Sequence, residues 1–221
     1  MNVSEANLQP APRQESCEKP FVYVVDDDDS DRASLEWLIR RAGWQPNSFA
    51  TAGEFLAYPR CPTPGCLLLD VSLPDLSGLD VQEMLAGQRE VPIIFMTAHG
   101  DVPTTVRAMK AGAVEFLVKP LCDDELLRAI PLALEISAGA LRDQARLQVL
   151  HSRYSYLTPR EREVMERIVS GQLNKQVALD LGITEGTIKV HRFNVMRKMR
   201  AASFADLVEM ASRLRISPGR W

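Results

Sequence analysis

LLLDVSLPDLSG, residues 67–78, sets an unbroken apolar run directly before a carboxylate, Asp70. Three other segments repeat that arrangement. FVYVVDDDDSD (21–31) ends its run at Asp26 and Asp27, VPIIFMTAHG (91–100) at Thr97, and VEFLVKP (114–120) at Lys119. Runs this continuous and this rich in β-branched residues read as strands buried on both faces of a parallel sheet, with helices on either side. In an open α/β sheet, ligands bind where the strands deliver their C-terminal ends. Three carboxylates, a hydroxyl and an ammonium therefore converge on one rim.

That set of groups suits metal-assisted phosphoryl transfer to a carboxylate. Mg²⁺ prefers hard oxygen ligands and keeps several waters, so two or three Asp side chains suffice to hold it. Lys119 and the metal would neutralise the transferring phosphoryl oxygens, while Thr97 and nearby backbone N–H groups hold them. One of the carboxylates is then the nucleophile. Each piece alone has an ordinary explanation: an acidic run such as Asp26–Asp29 is commonly a solvated loop, and a strand-end Asp a turn residue. Their joint placement at four strand ends argues for a site.

A chain of 221 residues is long enough for one core of ordinary size and a small second one. No segment approaches the roughly 20 apolar residues of a membrane span, and no signal peptide opens the sequence. A cytoplasmic protein with no membrane partner is expected. Residues 1–19 are polar and Pro-containing, which predicts a disordered tail. Cys61 and Cys66 flank a Pro-Gly turn, but no second pair or nearby His completes a zinc site, so reduced structural thiols are expected of all four cysteines. Charge is divided unevenly. From residue 155 onward, twelve Lys/Arg face seven Asp/Glu, so this part carries +5 and the remainder −8 of the net −3. An acidic part joined to a basic part suggests a metal or signal site in one and nucleic acid in the other.

The basic part carries a motif. LTPREREVMERIVSG (157–171) opens with Thr158 as N-cap, Pro159 at the first helical position and Glu161 closing a capping box. NKQVALDLG (174–182) follows as a short helix capped by Asn174 and ended by Gly182. Thr184 then caps EGTIKVHRFNVMRKM (185–199). A short helix, a tight Gly turn and a basic helix form the helix-turn-helix pattern, whose second helix enters the major groove. Lys189, Arg192, Arg197 and Lys198 supply its charge, while Val195, Met196 and Met199 face the core. Between the two parts, residues 123–156 read as the last helix of the first domain running into a charged linker helix. Pro131 should kink or break it. Leu132, Leu134, Ile136 and Leu141 favour packing, whereas Ser137 and Gly139 favour a hinge over residues 137–140.

The four strand-end segments, VVDDD, LLLDVSLPDLSG, MTAHGD and FLVKP, together resemble the signatures of two-component response-regulator receiver domains. LTPREREV, GQLNKQVALDLGITEGTIKVHR and VMRKM resemble the LuxR-type helix-turn-helix of the NarL/FixJ class. The resemblance implies an α/β doubly wound, five-stranded parallel receiver over residues 20–135. A helical linker (136–154) and a small all-α DNA-binding domain (155–221) would follow. It implies that a sensor histidine kinase phosphorylates Asp70. Asp27 and Asp70 would bind Mg²⁺ directly with the Ser72 backbone carbonyl, and Asp26 through water. Ser72, Thr97, Ala98 and Lys119 would border or bind the phosphoryl group, with Thr97 and Phe116 as the switch pair. Ser72 and His99 also flank the path of hydrolytic water, and His99 would orient that water or cover the site. On the recognition helix, Thr187, Lys189, Val190, His191, Arg192, Arg197 and Lys198 become DNA contacts. Phe193 departs from the small or basic residue of relatives, and either touches a thymine methyl or folds back on the scaffold. Phosphorylation would favour a homodimer, two DNA half-sites and contact with RNA polymerase.

Two rivals fit parts of the pattern. Haloacid-dehalogenase phosphatases also use Mg²⁺ and a strand-end Asp, but place a second Asp two residues on, where this chain has Ser72. A receiver kept only as a dimerisation platform needs none of Asp26, Asp27, Asp70, Thr97 and Lys119, all of which are present.

Overall fold

The computed structural model describes residues 19–98 and 100–216. The tail expected over residues 1–19 thus lies, but for Lys19, outside the described residues, and so does the part considered for His99. The chain forms two compact units, divided between Leu141 and Arg142.

The first unit is a five-stranded sheet of β1 (Phe21–Val25), β2 (Gln45–Phe49), β3 (Gly65–Asp70), β4 (Ile93–Thr97) and β5 (Glu115–Val118). All pairs are parallel and the order is β2-β1-β3-β4-β5. Side chains alternate between the faces of a strand, and here both faces are covered. Val22, Val24, Leu68, Ile94 and Met96 pack with α1 (Asp29–Arg41) and the first half of α5 (Asp123–Ser155). Tyr23, Val25, Leu67, Leu69 and Phe95 pack with α2 (Ala52–Ala57), α3 (Gly78–Met84) and α4 (Val102–Lys110). Burial on both sides is why the central strands are continuous apolar runs. The strand order reverses between β1 and β3, and Asp26 and Asp70 stand at that switch point.

No apolar pattern marks β2, whose sequence is QPNSF and whose residues are all half-buried. Its edge position accounts for this, since Pro46 has no N–H to give a ladder and is tolerated only where one side is unpaired.

Helix α5 departs from expectation. It runs without a break from Asp123 to Ser155 through Pro131. Pro131 is exposed, so water can serve the carbonyl it leaves without a donor. Buried Ile130, Ala133 and Leu134 hold the helix on the sheet on either side of it. The hinge expected over 137–140 is helix as well. Ser137 is fully buried; its Oγ accepts from Gly65 N at 3.0 Å and donates to Glu90 O at 2.5 Å. A hydroxyl read as a flexibility signal is thus a clamp at the N-terminal rim of the sheet. Leu132 and Ile136, expected to pack, are exposed.

In the second unit, α6 (Pro159–Val169), α7 (Asn174–Leu181), α8 (Glu185–Met199) and α9 (Phe204–Arg213) close over a core that includes Val164, Ile168, Val177, Ile188, Val195 and Leu207. The capping box of Thr158 and Glu161 is formed. Gly182 ends α7 in the left-handed region at φ 63°, and Thr184 caps α8. The cap of α7 lies one residue earlier than predicted. Asn174 is already helical, Leu173 N donates to Gln176 Oε1 at 2.7 Å, and the Asn174 side chain accepts from Arg192 instead.

Candidate functional site

Strand ends assemble the site as their apolar runs imply. Asp26 directly follows β1 and is fully buried; Asp27 beside it is exposed. Asp28 caps α1, accepting from Ser30 N at 2.8 Å and Asp31 N at 3.1 Å. Asp70 ends β3 and is buried. Lys119 follows β5, with its backbone N–H bonded to Thr97 O at 2.8 Å and a cis peptide to Pro120. Its Nζ lies 2.7 Å from Asp26 Oδ2, 2.7 Å from Asp70 Oδ2 and 2.8 Å from Asp31 Oδ2. The other Asp70 oxygen, Oδ1, accepts from Ser72 N at 2.9 Å.

The electrostatics follow from burial and from these bonds. Burial raises the Asp26 pKa above its ordinary value, although Lys119 and the Asp28 amide pull the other way. Burial alone would lower Lys119, but hydrogen bonds to Asp26, Asp31 and Asp70 outweigh it and hold the ammonium protonated. Backbone N–H groups of Asp31 and Ser30 lower the Asp28 pKa. Three carboxylates, Asp26, Asp31 and Asp70, thus surround one ammonium, and Asp27 stands beside Asp26 and Asp70, an excess of negative charge that suits a cation. Carboxylate oxygens of Asp26, Asp27 and Asp70 all lie within 4.8 Å of one another. Hard oxygen donors at that spacing fit Mg²⁺, which needs few protein ligands and fills the rest with water.

The loop after Asp70 is fixed by short-range devices. Ser72 and Ser77 pair as an antiparallel bridge. The Asp75 carboxylate accepts from Ala52 N and Gly53 N at 3.2 and 2.8 Å, and the Gly53 amide foremost lowers its pKa. A Cβ at Gly78 would come within 2.5 Å of Asp70 O, so the LSG turn packs back on the end of β3 only with glycine there. Opposite, Thr97 ends β4 almost wholly buried, and Ala98 after it is exposed. Half-buried Phe116 packs its ring 6.0 Å from that of Phe95. A Cβ at Gly100 would stand 3.8 Å from both the Thr97 methyl and Phe116 Cε1, and 2.9 Å from Val118 Cγ2. Thr97, Gly100 and Phe116 therefore share one small space.

Asp31 and Arg32 escaped the sequence reading. Asp31, just beyond the Asp26–Asp29 run, was assigned no role, yet it is an ion-pair partner of Lys119. Arg32 donates to Asp26 O at 2.5 Å and pairs with Asp29. The available signal was position, since both lie in the first turn of α1, which starts beside the strand ends.

Of the residues assigned to DNA, Thr187, Lys189, Val190 and Arg197 are exposed on α8, and His191 is half-buried. Arg192 is turned to the scaffold, donating to Asn174 Oδ1 at 3.1 Å and lying 4.6 Å over the Phe204 ring. Lys198 Nζ is 2.6 Å from the buried Glu161 carboxylate, so its charge is committed inside the domain. Phe193 is exposed rather than folded back.

Residues 22–131 match the family description "Response regulator receiver domain", and residues 155–211 match "Bacterial regulatory proteins, luxR family". Nodulation protein W of Bradyrhizobium diazoefficiens is 48% identical over 204 residues, covering 92% of this chain and 90% of that protein. Transcriptional regulatory protein FixJ of the same organism is 42% identical, over 88% of this chain and 96% of its own. The solved structure of response regulator StyR superposes with a TM-score of 0.73 at 45% identity, covering 88% of this chain and 99% of that one. Among the described residues, no helix is long and apolar enough to cross a membrane. A receiver domain implies a histidine kinase as partner, and a LuxR-type domain implies DNA. The chain belongs to the two-component response regulators of the NarL/FixJ class, transcription factors in which a receiver domain precedes a LuxR-type helix-turn-helix domain.

Proposed function

We propose that Asp70 is the phosphoacceptor and that its phosphorylation governs DNA binding by the C-terminal domain. The receiver spans residues 20–135, a helical linker 136–154 and the DNA-binding domain 155–221. One observation carries the reading: the Lys119 ammonium bridges Asp26 and Asp70 at the point where three carboxylates cluster. An oxygen of Asp70 attacks phosphorus as the N–P bond of the kinase phosphohistidine breaks, and the departing imidazole keeps the electron pair. Asp27, Asp70 and the Ser72 carbonyl would hold Mg²⁺, with Asp26 acting through water, and the ion would supply positive charge against the phosphoryl oxygens.

Lys119 and the Thr97 hydroxyl take the remaining oxygens, with backbone N–H groups of Ser72 and Ala98 nearby. The acyl phosphate carries close to two negative charges where the carboxylate carried one. Lys119 must exchange part of its present bonding for it. As Thr97 turns toward the phosphoryl group, Phe116 moves into the space they share. Such a shift biases a two-state surface only through its differential interactions. The favoured state pairs two receivers, setting two helix-turn-helix domains on half-sites about one helical turn apart. Contact with RNA polymerase in the cytoplasm then changes transcription.

Sedimentation with Mg²⁺, before and after beryllofluoride and beside an Asp70→Asn control, tests this. A monomer-to-dimer shift confined to wild type, with tighter operator binding, is expected. If neither mass nor DNA affinity changes, the receiver is not a phosphorylation switch.

A further inference from the structure

Helix α8 carries side chains that its own fold does not use. Ile188, Val195 and Met199 are fully buried in the core of the helical unit. At 3.6 residues per turn, Gly186, Val190, Phe193 and Arg197 line up on the opposite side. Val190 is 60% exposed and Phe193 65%. An exposed phenyl ring beside an exposed isopropyl group gains nothing for a folded domain in water, where a polar residue serves as well. The Arg197 guanidinium lies 5.9 Å over the Phe193 ring, which holds the ring along the outer face of the helix. Gly186 is odd in the same way. Glycine within a helix is less favourable than alanine, yet a Cβ there would meet only Thr184 Oγ1 at 3.7 Å. The fold has room for a side chain at Gly186 and does without one.

The line thus reads as a gap, two apolar groups and a cation, flanked by exposed Lys189, which shares its charge with exposed Glu185 at 3.6 Å, in a part of the chain that carries net positive charge. A cationic rim favours a polyanion, so the occupant is DNA rather than an apolar protein surface. On the major-groove edge of a base pair, the one apolar group is the thymine C5-methyl. We propose that Phe193, backed by Val190, determines specificity by covering a thymine methyl in the major groove. Gly186 allows the start of α8 to approach the duplex closely. This inference rests on the DNA-binding reading of α8 and adds the base feature that α8 selects.

The test is binding-site selection from a randomised duplex pool with beryllofluoride-treated full-length protein, wild type and Phe193→Ala. Deoxyuridine is then placed for thymine at each enriched position. Wild type should enrich thymine at one position per half-site where the variant does not. Deoxyuridine there should weaken wild type about fourfold, the worth of one buried methyl, and leave the variant unchanged. Affinity of the variant for non-selected duplex should match wild type, because phosphate contacts set it. Identical selected sequences, or an equal loss on deoxyuridine for both proteins, overturns the role of Phe193 and leaves DNA binding standing. Failure of wild type to enrich any sequence overturns both.

Discussion

Glu161 is a carboxylate with almost no access to water, and it stays ionised because three donors surround it. Burial alone would raise its pKa. Hydrogen bonds from Lys198 Nζ at 2.6 Å, and from the Thr158 backbone and side chain, outweigh burial and hold it below the ordinary glutamate value. A carboxyl lowered in the folded state contributes fully above its unfolded pKa, and the contribution is lost as pH falls through the folded value. Glu161→Gln should therefore lower stability by about 1–2 kcal/mol at pH 7, through the half-buried ammonium it leaves unpaired. Denaturant titrations at decreasing pH should show the gap from wild type closing as pH falls through the lowered range of the folded carboxyl; a gap independent of pH would mean that packing, not charge, accounts for the loss. Legibility at this scale depended on chain neighbourhood. Asp26, Asp70, Thr97 and Lys119 could be found because each sits at the end of an apolar run that encodes its position. Glu161 was visible as a capping residue, but its ion pair spans 37 positions. Asp31 was hidden for the same reason, since the approach of α1 to the end of β5 is a tertiary fact.

At the scale of elements, periodic signals were readable and compensated ones were not. Four strands announce themselves as apolar runs, whereas β2 is held by pairing with β1 and has no pattern of its own. In α5, Pro131 and Ser137 look locally like a break and a hinge. Packing of Ile130, Ala133 and Leu134 against the sheet overrides the first. The second is a polar residue whose hydroxyl serves two backbone groups, Gly65 N and Glu90 O. Ser137→Ala should strand both partners in a buried place and cost about 2–3 kcal/mol, measured by urea unfolding of the full chain. Ser137→Thr keeps the hydroxyl and should recover part of the loss if the added methyl finds room. An unaffected midpoint in Ser137→Ala would show that the clamp contributes nothing net.

For the whole molecule, the division of charge into −8 before residue 155 and +5 from it onward suits a polyanion at the C-terminal domain. DNA affinity should fall linearly in log–log form with salt, and Lys189→Met should flatten the slope by about 0.9 if that ammonium meets a phosphate. Titrations at three salt concentrations suffice, and an unchanged slope would assign Lys189 to base edges alone. Domain order and fold class were legible because two independent motif sets lie end to end. The manner of their joining was not, since residues 136–154 carry packing and hinge signals in equal measure. That join has a bearing on how the protein is degraded. Proteases cut where backbone can be drawn out as an extended strand, which is why exposed loops between domains are usually nicked first. Here the passage from one unit to the other is hydrogen-bonded helix throughout α5. It has to unwind locally before it can enter a protease cleft, so receiver and DNA-binding domain are kept as a single polypeptide for as long as that helix holds.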